Sequence, residues 1–279
     1  MTPTARETIR RALAEDLGSG DITSECFIPA DHRSNARITA RESAILAGTA
    51  AATEVFRQVL PTIELTAHQN DGDRLAPGAL ILTATGPTRA LLSAERTALN
   101  FLQRLSGIAT LTGFFVEAVA GTKAIILDTR KTTPGLREFE RLAVLAGGGT
   151  NHRSGLFDRV LAKDNHLAVT ADANGLQSAI DEAKKRAPGI LIEIEADSLD
   201  QVRLLCGLRD IDIILLDNMS NDQLRAAVEI RADRKILLEA SGGVNLDTVA
   251  AIAATGVDHI SVGALTHSAR AIDLSLEIT

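Results

Sequence analysis

Hydrophobic and polar positions follow one pattern early in the chain and another after residue 121. Residues 4–16 place apolar side chains on one side and charged ones on the other, which predicts an amphipathic helix. The segment DLGSGDITSE that follows is predicted to be a loop. The strings ARITARES, TIELTAH and ALILTA predict short strands around a helix over residues 50–60. Together these elements predict an α+β domain.

A long helical stretch is predicted from residue 88 to 119. Leucines recur along it at three- and four-residue spacing, as in a helix that buries one side. They are Leu91, Leu92, Leu99, Leu102 and Leu105. We predict a break near Ser106-Gly107, and we expect this stretch to join two domains.

Beyond Gly121, strand-like and helical segments alternate. The strands are the short apolar strings KAIIL, RVLA, ILIEIE, DIILL, KILLE and HISV. Between them lie helical segments such as LQSAIDEAKKR, LDQVRLLC, NDQLRAAVEI and LDTVAAIAAT. Continuous apolar strands that alternate with helices predict a parallel sheet covered on both faces, and this number of units predicts a barrel-like arrangement.

Composition supports a folded protein and excludes several classes. Of 279 residues, 45% are hydrophobic and 23% are charged, so the chain can bury a large core and differs from disordered proteins. The net charge of −7 argues against broad attraction to nucleic acid or to anionic membranes. Tryptophan and tyrosine are absent, so the chain has few aromatic side chains on which the bases of a single-stranded nucleic acid could stack, and that class of protein is not favoured.

Cysteine usage and the amino terminus indicate a reducing compartment. Cys26 and Cys206 form no CxxC pair and lie far apart in the sequence, so neither a disulfide framework nor a thiolate metal site is expected. The first residues lack the apolar core of a signal peptide, and no run of 18 apolar residues occurs without a charge. We therefore expect a cytoplasmic protein without a membrane partner.

Polar residues stand at the end of each strand in the second half, where parallel β/α folds carry their working residues. The early strands end in cations, the middle ones in carboxylates and the last ones in glycine-bearing loops. These ends are Asp128-Thr129-Arg130-Lys131, Lys163-Asp164-Asn165-His166, Glu195, Asp217-Asn218, Ala240-Ser241-Gly242-Gly243 and Gly263-Ala264.

Each strand end taken alone has a simpler explanation as a solvated charge, a helix cap or a turn. Six of them on one rim favour a site for an anionic substrate, with a phosphate held by backbone N–H groups and a hard cation such as Mg²⁺. The six histidines form no HxxxH set, so we expect no metal held by histidine. For His166 and His259 a core or supporting role is expected.

Two other stretches are candidates for the same site. Arg96 falls on or beside the leucine stripe, where its guanidinium could pair with Glu95 or reach an anion across an interface. The segment Gly147-Gly148-Gly149-Thr150-Asn151-His152-Arg153 reads as a helix stop or as a flexible loop that ends in a cation.

The motifs taken together resemble one family. The strings ERTALNFLQRLSGIAT, LDTRKTTPGLR, AGGGTNHRSGL, AKDNH, LLDN, EASGGV and DHISVGALTHS, in this order, closely resemble quinolinate phosphoribosyltransferases. The resemblance covers the chain from EDLGSGDITS to its end. It implies an α/β fold of the type II phosphoribosyltransferase kind: an N-terminal α/β sandwich domain over residues 1–110, then an open α/β barrel over residues 111–266. A tail, residues 267–279, would return to the first domain.

The resemblance also implies an activity. Such an enzyme transfers the phosphoribosyl group of phosphoribosyl diphosphate to quinolinate with Mg²⁺, and releases nicotinate mononucleotide, CO₂ and diphosphate in NAD biosynthesis. A homodimer with shared active sites is implied, and whether dimers assemble further into a hexamer stays open. Binding of quinolinate and diphosphate would involve Arg96, lent by the neighbouring subunit, together with Thr129, Arg130, Lys131, His152, Arg153 and Lys163. Glu195 and Asp217 would lie near ribose and Mg²⁺ and act with Lys131 and Lys163 in catalysis. The 5′-phosphate would meet Ser241, Gly242, Gly243, Val262, Gly263 and Ala264.

Departures and alternatives remain. Arg141-Leu142 stands where the family often carries Lys-Tyr, so a contact made by that tyrosine is in doubt. A paralogous group associated with molybdenum-transport operons would act on a different anionic substrate, but it is expected to lack Asn151 and Lys163, which this chain has. A non-catalytic phosphate-binding protein would not need both acidic and both lysine positions. A metabolic barrel isomerase would leave Arg96 unexplained.

Overall fold

A computed structural model describes residues 1–167 and 173–279. The chain divides into two compact units, each built from separate segments. Unit 1 comprises Met1–Gly113, Thr132–Gly148 and Leu265–Thr279, and unit 2 comprises Phe114–Lys131 and Gly149–Ala264. The predicted division at residues 110 and 266 stays a prediction.

Helices and strands occur in both units. The helices are α1 (Pro3–Leu17), α2 (Ile22–Phe27), α3 (Thr49–Val59), α4 (Thr88–Ala118), α5 (Arg137–Ala146), α6 (Asp164–Leu167), α7 (Ala173–Arg186), α8 (Leu199–Cys206), α9 (Asn221–Arg231), α10 (Val249–Ala253) and α11 (Ala264–His267). The strands are β1 (Arg33–Ala40), β2 (Ala44–Ile45), β3 (Glu64–Ala67), β4 (Arg74–Leu75), β5 (Leu80–Pro87), β6 (Ile125–Leu127), β7 (Val160–Ala162), β8 (Ile192–Ala196), β9 (Ile213–Asp217), β10 (Leu237–Ser241), β11 (His259–Ser261) and β12 (Leu274–Ile278). In the described part of the chain, no helix combines the length and the apolar content needed to cross a bilayer.

The segment predicted to be a loop contains a short helix, α2. Asp21 caps it: its carboxylate accepts the N–H of Ser24 at 3.0 Å and also the Ser24 hydroxyl. Capping satisfies backbone donors that the first turn leaves unpaired, which stabilises a turn that propensity alone does not favour. The prediction of a loop was therefore wrong over α2.

The sheet of unit 1 is antiparallel, with the order β12-β1-β5-β3. The tail strand β12 pairs with β1, for example Ile38 with Leu276. Along β1 every second residue is buried, as the alternating sequence predicts, and Ile38 has no exposed surface. A sheet built from the first and last strands of the chain brings the carboxyl-terminal segment into unit 1.

Helix α4 runs without interruption through Ser106-Gly107, so the predicted break was wrong. A Cβ atom on Gly107 would overlap the carbonyl oxygen of Arg270 in the tail. Glycine at this position therefore permits a close approach between helix and tail, which sequence spacing alone could not distinguish from a helix break.

Unit 2 contains a parallel sheet of six strands in the order β6-β11-β10-β9-β8-β7. Among the described residues, β6 and β7 form the two edges and do not pair, so the barrel is open, as the predicted fold class requires. One face of the sheet is apolar and packs against α8 and α10; its central members Ile214, Leu216 and Leu238 have no exposed surface. The other face carries polar side chains from mid-strand positions, and these support the site.

Candidate active site

The carboxyl ends of the six parallel strands share one edge of the sheet in unit 2. Along this edge the predicted residues follow the strand order, so the cations after β6 stand beside the loop after β11. The loop after β10 comes next, then the carboxylates of β9 and β8, and finally the lysine after β7. From first to last they are Thr129, Arg130 and Lys131; Val262, Gly263 and Ala264; Ser241, Gly242 and Gly243; Asp217; Glu195; and Lys163.

The segment after β6 is anchored by its first residue. Asp128 is fully buried, donates its N–H to the carbonyl of Thr150 at 3.1 Å, and accepts the N–H of His152 on Oδ1 at 2.6 Å. The next residues turn outward: the N–H of Lys131 bonds the Thr129 hydroxyl at 3.1 Å, and the Lys131 side chain is exposed. Asp128 thus ties the cation-bearing segment to the loop that carries Arg153.

Two arginines concentrate positive charge at this point. Burial lowers the pKa of Arg153, and the neighbouring charge of Arg130 lowers it further. The charges of Glu193 and Asp158 partly oppose this lowering. A guanidinium stays protonated in proteins, so both arginines keep their charge for a bound anion. The pair Arg130 and Arg153 is therefore a candidate anion-binding site, as the sequence predicted.

A lysine and a carboxylate meet at the other end of the edge. Lys163 Nζ lies 3.2 Å from Glu195 Oε2; the lysine side chain is 49% exposed and the glutamate 11%. Glu195 is thereby oriented by a cation that itself remains accessible to a ligand. Asp217, at the end of β9, accepts the side-chain N–H of Asn218 at 2.7 Å.

The loop after β10 is shaped by glycine. Gly242 has φ +99°, and a Cβ there would overlap the Asn218 side chain and lie 3.0 Å from its backbone nitrogen. The N–H of Asn218 in turn bonds the carbonyl of Ser241 at 2.9 Å. Gly243 follows with φ +58°. Successive backbone N–H groups in such a turn form a concavity suited to a phosphate.

The loop after β11 begins inside the sheet. Val262 is fully buried, and its N–H donates to the carbonyl of Leu127 at 3.0 Å. Gly263 and Ala264 follow it and are partly exposed. Val262 therefore fixes the start of the loop, and its predicted contact with phosphate stays a prediction.

Sequence reasoning missed a buried group below the edge. Glu193 and Glu239 have no exposed surface and face the His152 imidazole, with Nε2 at 3.1 Å from Glu193 Oε2 and at 3.3 Å from Glu239 Oε1. Arg159 lies 3.2 Å from Glu193 Oε2. The missed signal was a glutamate two residues before each predicted strand-end residue: Glu193 precedes Glu195 in β8, and Glu239 precedes Ser241 in β10. We call His152, Glu193 and Glu239 the buried histidine cluster.

Hydrogen bonds and charges within the cluster shift the pKa values of Glu239 and His152. Burial raises the pKa of Glu239, but hydrogen bonds and charge from His152 and a bond from Ser261 outweigh burial, so its pKa is lowered. Burial lowers the pKa of His152, but the bonds and charges of Glu193 and Glu239 outweigh it and raise that pKa to about 9. His152 therefore faces the cluster, and its predicted contact with substrate stays a prediction.

Arg96 is the one predicted site residue in unit 1. It lies exposed on α4, between the buried residues Ala94 and Thr97. Burial raises the pKa of the adjacent Glu95, and the charge of Arg96 partly opposes that rise. Unit 1 also holds a cavity of about 310 Å³ beside α1 and α4, whose lining includes no predicted site residue.

Two sequence profiles of one family match almost the whole chain. Residues 21–106 match the quinolinate phosphoribosyl transferase N-terminal domain, and residues 108–277 match the C-terminal domain of the same family.

Named relatives and solved structures agree with these matches. The nicotinate-nucleotide pyrophosphorylase [carboxylating] of Mycobacterium leprae is 44% identical, over 98% of this chain and 97% of that protein. The probable enzyme of the same name from Bacillus subtilis is 39% identical, over 98% and 93%. The structure of the nicotinate-nucleotide pyrophosphorylase from Francisella tularensis superposes with a TM-score of 0.91 at 40% identity, over 100% of this chain and 98% of that one. NadC from Streptococcus pyogenes gives 0.92 at 38% identity, over the same shares.

Proposed function

Since the chain belongs to the quinolinate phosphoribosyltransferase family, we propose that it transfers the phosphoribosyl group of phosphoribosyl diphosphate to quinolinate and then releases CO₂. The products are nicotinate mononucleotide and diphosphate, as in NAD biosynthesis. The observation that carries this proposal is that one edge of the sheet brings together Arg130 and Lys131 after β6 and Glu195 at the end of β8, where Lys163 Nζ lies 3.2 Å from Glu195 Oε2. A substrate with two carboxylates and a co-substrate with three phosphates need cations and carboxylates together on one rim.

The cationic residues bind the acceptor. Quinolinate carries two adjacent carboxylates, and guanidinium groups bind carboxylates through two parallel hydrogen bonds. Arg130 and Arg153 take this role, with Thr129 supporting the segment and Lys131 reaching outward from it. Charge-assisted hydrogen bonds from both arginines to the two carboxylates would also orient the pyridine ring.

Transfer requires no nucleophile from the protein. The lone pair of the pyridine nitrogen forms the new bond to C1′ while the bond from C1′ to the diphosphate oxygen breaks, and that oxygen leaves with the electron pair. Positive charge develops on the ribose, where the carboxylates of Glu195 and Asp217 stabilise it. Lys163, 3.2 Å from Glu195, holds that carboxylate in place and can contact the departing diphosphate.

Decarboxylation follows on the same ring. The bond between C2 and its carboxylate breaks, CO₂ leaves, and the electron pair stays on C2 beside the cationic nitrogen until a proton from water replaces it. Because the nitrogen stabilises that pair, the protein has mainly to turn the carboxylate out of the ring plane. Lys131 and Lys163 are the residues assigned to this orientation.

Backbone N–H groups bind the 5′-phosphate. The turn Ser241-Gly242-Gly243 has two consecutive residues at positive φ, and the loop at Gly263-Ala264 lies on the adjacent strand. Because backbone N–H groups are present in every residue except proline, the sequence indicates this phosphate site only through its glycines.

Mg²⁺ is assigned to the same edge. The carboxylate oxygens of Glu195 and Asp217 stand on adjacent strands and are ligands of the hard type that Mg²⁺ prefers. When bound together with diphosphate, the ion would neutralise charge on the leaving group.

A second copy of the chain completes the site in this proposal. Arg96 lies exposed in unit 1, apart in the chain from every other predicted site residue. We assign it to the site of a neighbouring subunit in a homodimer. Mixing an Arg96→Ala protein with a Lys131→Ala protein should then restore part of the activity through hybrid dimers. No recovery, with subunit exchange demonstrated, would count against a shared site.

The direct test follows product formation. Purified protein is incubated with quinolinate, phosphoribosyl diphosphate and Mg²⁺, while CO₂ release and nicotinate mononucleotide are measured. Product should require all three components. A folded protein that binds phosphoribosyl diphosphate but releases no CO₂ would refute this function and favour the paralogous enzyme with another anionic acceptor.

A further inference from the structure

The two glutamates of the buried histidine cluster have no part in the chemistry proposed above. Burying two carboxylates is costly unless each is paired and hydrogen-bonded, because charges lose their hydration inside a protein. Glu193 and Glu239 occupy mid-strand positions on β8 and β10, where an apolar side chain would pack at no such cost. These glutamates lie two residues before the strand-end residues Glu195 and Ser241, so we asked what function offsets the cost of burying them.

The cluster holds His152 at several points. Nε2 lies between the two carboxylates, at 3.1 Å from Glu193 Oε2 and 3.3 Å from Glu239 Oε1. The backbone N–H of His152 donates to Asp128 Oδ1 at 2.6 Å. The ring is therefore held by residues of two strands, β8 and β10, and the main chain by Asp128, the residue that follows β6.

Arg153 is the next residue in the chain, so the position of His152 also fixes the position of its backbone. Its backbone N–H donates to His152 Nδ1 at 2.7 Å. That bond describes a ring protonated on Nε2 alone, since a second proton would occupy Nδ1. The bonds of Nε2 to the carboxylates and of the backbone to Asp128 persist in both forms of the ring. A second proton on Nδ1 removes the bond to the Arg153 N–H, and because the pKa of His152 is raised to about 9, that proton is bound at neutral pH. Arg153 is then placed through its peptide bond to His152, whose ring and main chain stay held.

The same three side chains could in principle bind a metal, since their ligand atoms lie within 4.8 Å of one another. Arg159 argues against that use. Its Nη1 lies 3.2 Å from Glu193 Oε2 and 3.3 Å from His152 Nε2, so a cation already shares these ligands. A divalent ion at that point would meet the guanidinium at close range.

We propose that Glu193 and Glu239 are positioning residues that hold the ring of His152 and thereby set Arg153 beside Arg130 for the anionic substrate. The predicted effect on quinolinate turnover rests on the proposed function, whereas the contact of the two glutamates with His152 does not. Replacing either glutamate by glutamine keeps the size of the side chain and removes the charge. Quinolinate KM should rise on the order of tenfold, with a smaller effect on kcat, because a displaced Arg153 weakens substrate binding.

A double-mutant cycle tests whether the effect passes through Arg153. If Glu239 acts through that side chain, the double variant Glu239→Gln with Arg153→Ala should lose no more kcat/KM than Arg153→Ala alone. Glu140→Gln is the matched control, because Glu140 is equally buried but lies in unit 1 and pairs with Arg104. Its effect should add to that of Arg153→Ala. Full additivity for Glu239→Gln would overturn the proposal.

A second measurement is independent of turnover. Titration of His152 followed by NMR should give a pKa well above 6.5 in the parent protein and a lower one in Glu193→Gln and in Glu239→Gln. A His152 pKa unchanged in both variants would refute the contact, even if one variant folds poorly. Failure of quinolinate turnover with an intact shift of the His152 pKa would instead refute the proposed function alone and retain the cluster.

Discussion

Replacing Gly107 with alanine tests how closely the carboxyl-terminal tail packs on α4. Both elements belong to unit 1. An added Cβ would overlap the carbonyl oxygen of Arg270 and lie 3.0 Å from its carbonyl carbon. Next to this point, the N–H of Ile272 bonds the carbonyl of Gln103 at 3.0 Å. The obstacle is backbone on both sides, so no rotation of a side chain can relieve it.

Two opposing terms set the magnitude. Alanine stabilises a helix interior by roughly 0.5–1 kcal/mol relative to glycine. Overpacking against a fixed backbone costs about 1–3 kcal/mol or more, through displacement of the tail or the helix. Gly107→Ala should therefore lower the free energy of unfolding by about 1–2 kcal/mol, the opposite sign to the change expected from helix propensity.

Urea unfolding followed by circular dichroism measures the change, and the same helix offers a matched control. A Cβ on Gly113 would meet only the Cδ1 end of the Ile45 side chain, apart from a carbonyl oxygen at 3.8 Å. Since that methyl group can move, Gly113→Ala should stay within about 1 kcal/mol of the parent protein. If Gly107→Ala proves as stable as Gly113→Ala, the close contact between tail and helix is not present in solution.

Three further outcomes follow from named contacts. Lys131→Ala should reduce kcat/KM on the order of 10²-fold or more, and an unchanged value would remove Lys131 from the site. Arg104→Ala should lower the free energy of unfolding in urea by about 3–5 kcal/mol, because it removes the cation 3.1 Å from the fully buried Glu140. Arg10→Ala, which breaks an exposed pair with Glu7, should change that free energy little. The Arg270 side chain and the backbone N–H of Asp273 lower the pKa of Glu42 from 4.5 to about 2, so the stabilisation from these contacts is complete above pH 4.5 and is lost as the pH falls towards 2. Glu42→Gln should therefore reduce the slope of the unfolding free energy against pH over that window. An unchanged slope would contradict the pairing.

Local pattern located many of the elements. It failed over α2, whose capping contact spans only three residues, and at Gly107, where a contact distant in sequence determines the conformation. The helix predicted over residues 50–60 is observed at Thr49–Val59, and all six strands of the parallel sheet were located. The predicted loop over α2 and the predicted break at Gly107 were wrong. In the first case a capping carboxylate, and in the second a tail more than 160 residues away, determines the conformation.

The site divides in the same way. Residues at strand ends could be found from the sequence, because the end of a parallel strand fixes which edge its next residue occupies. Glu193 and Glu239 could not, since each stands within a buried strand before its end, and only the pairing of β8, β9 and β10 brings them to one imidazole.

By itself the sequence determined the alternation of strand and helix, the charge along one edge of the sheet and the family. These follow from periodicity and from local motifs, which depend on neighbours a few residues apart. Only the tertiary structure decided which charges are buried, which partners compensate them and why Gly107 has no side chain. Burial and compensation depend on the distance between groups, and the fold alone sets that distance for residues 40 to 160 positions apart along the chain.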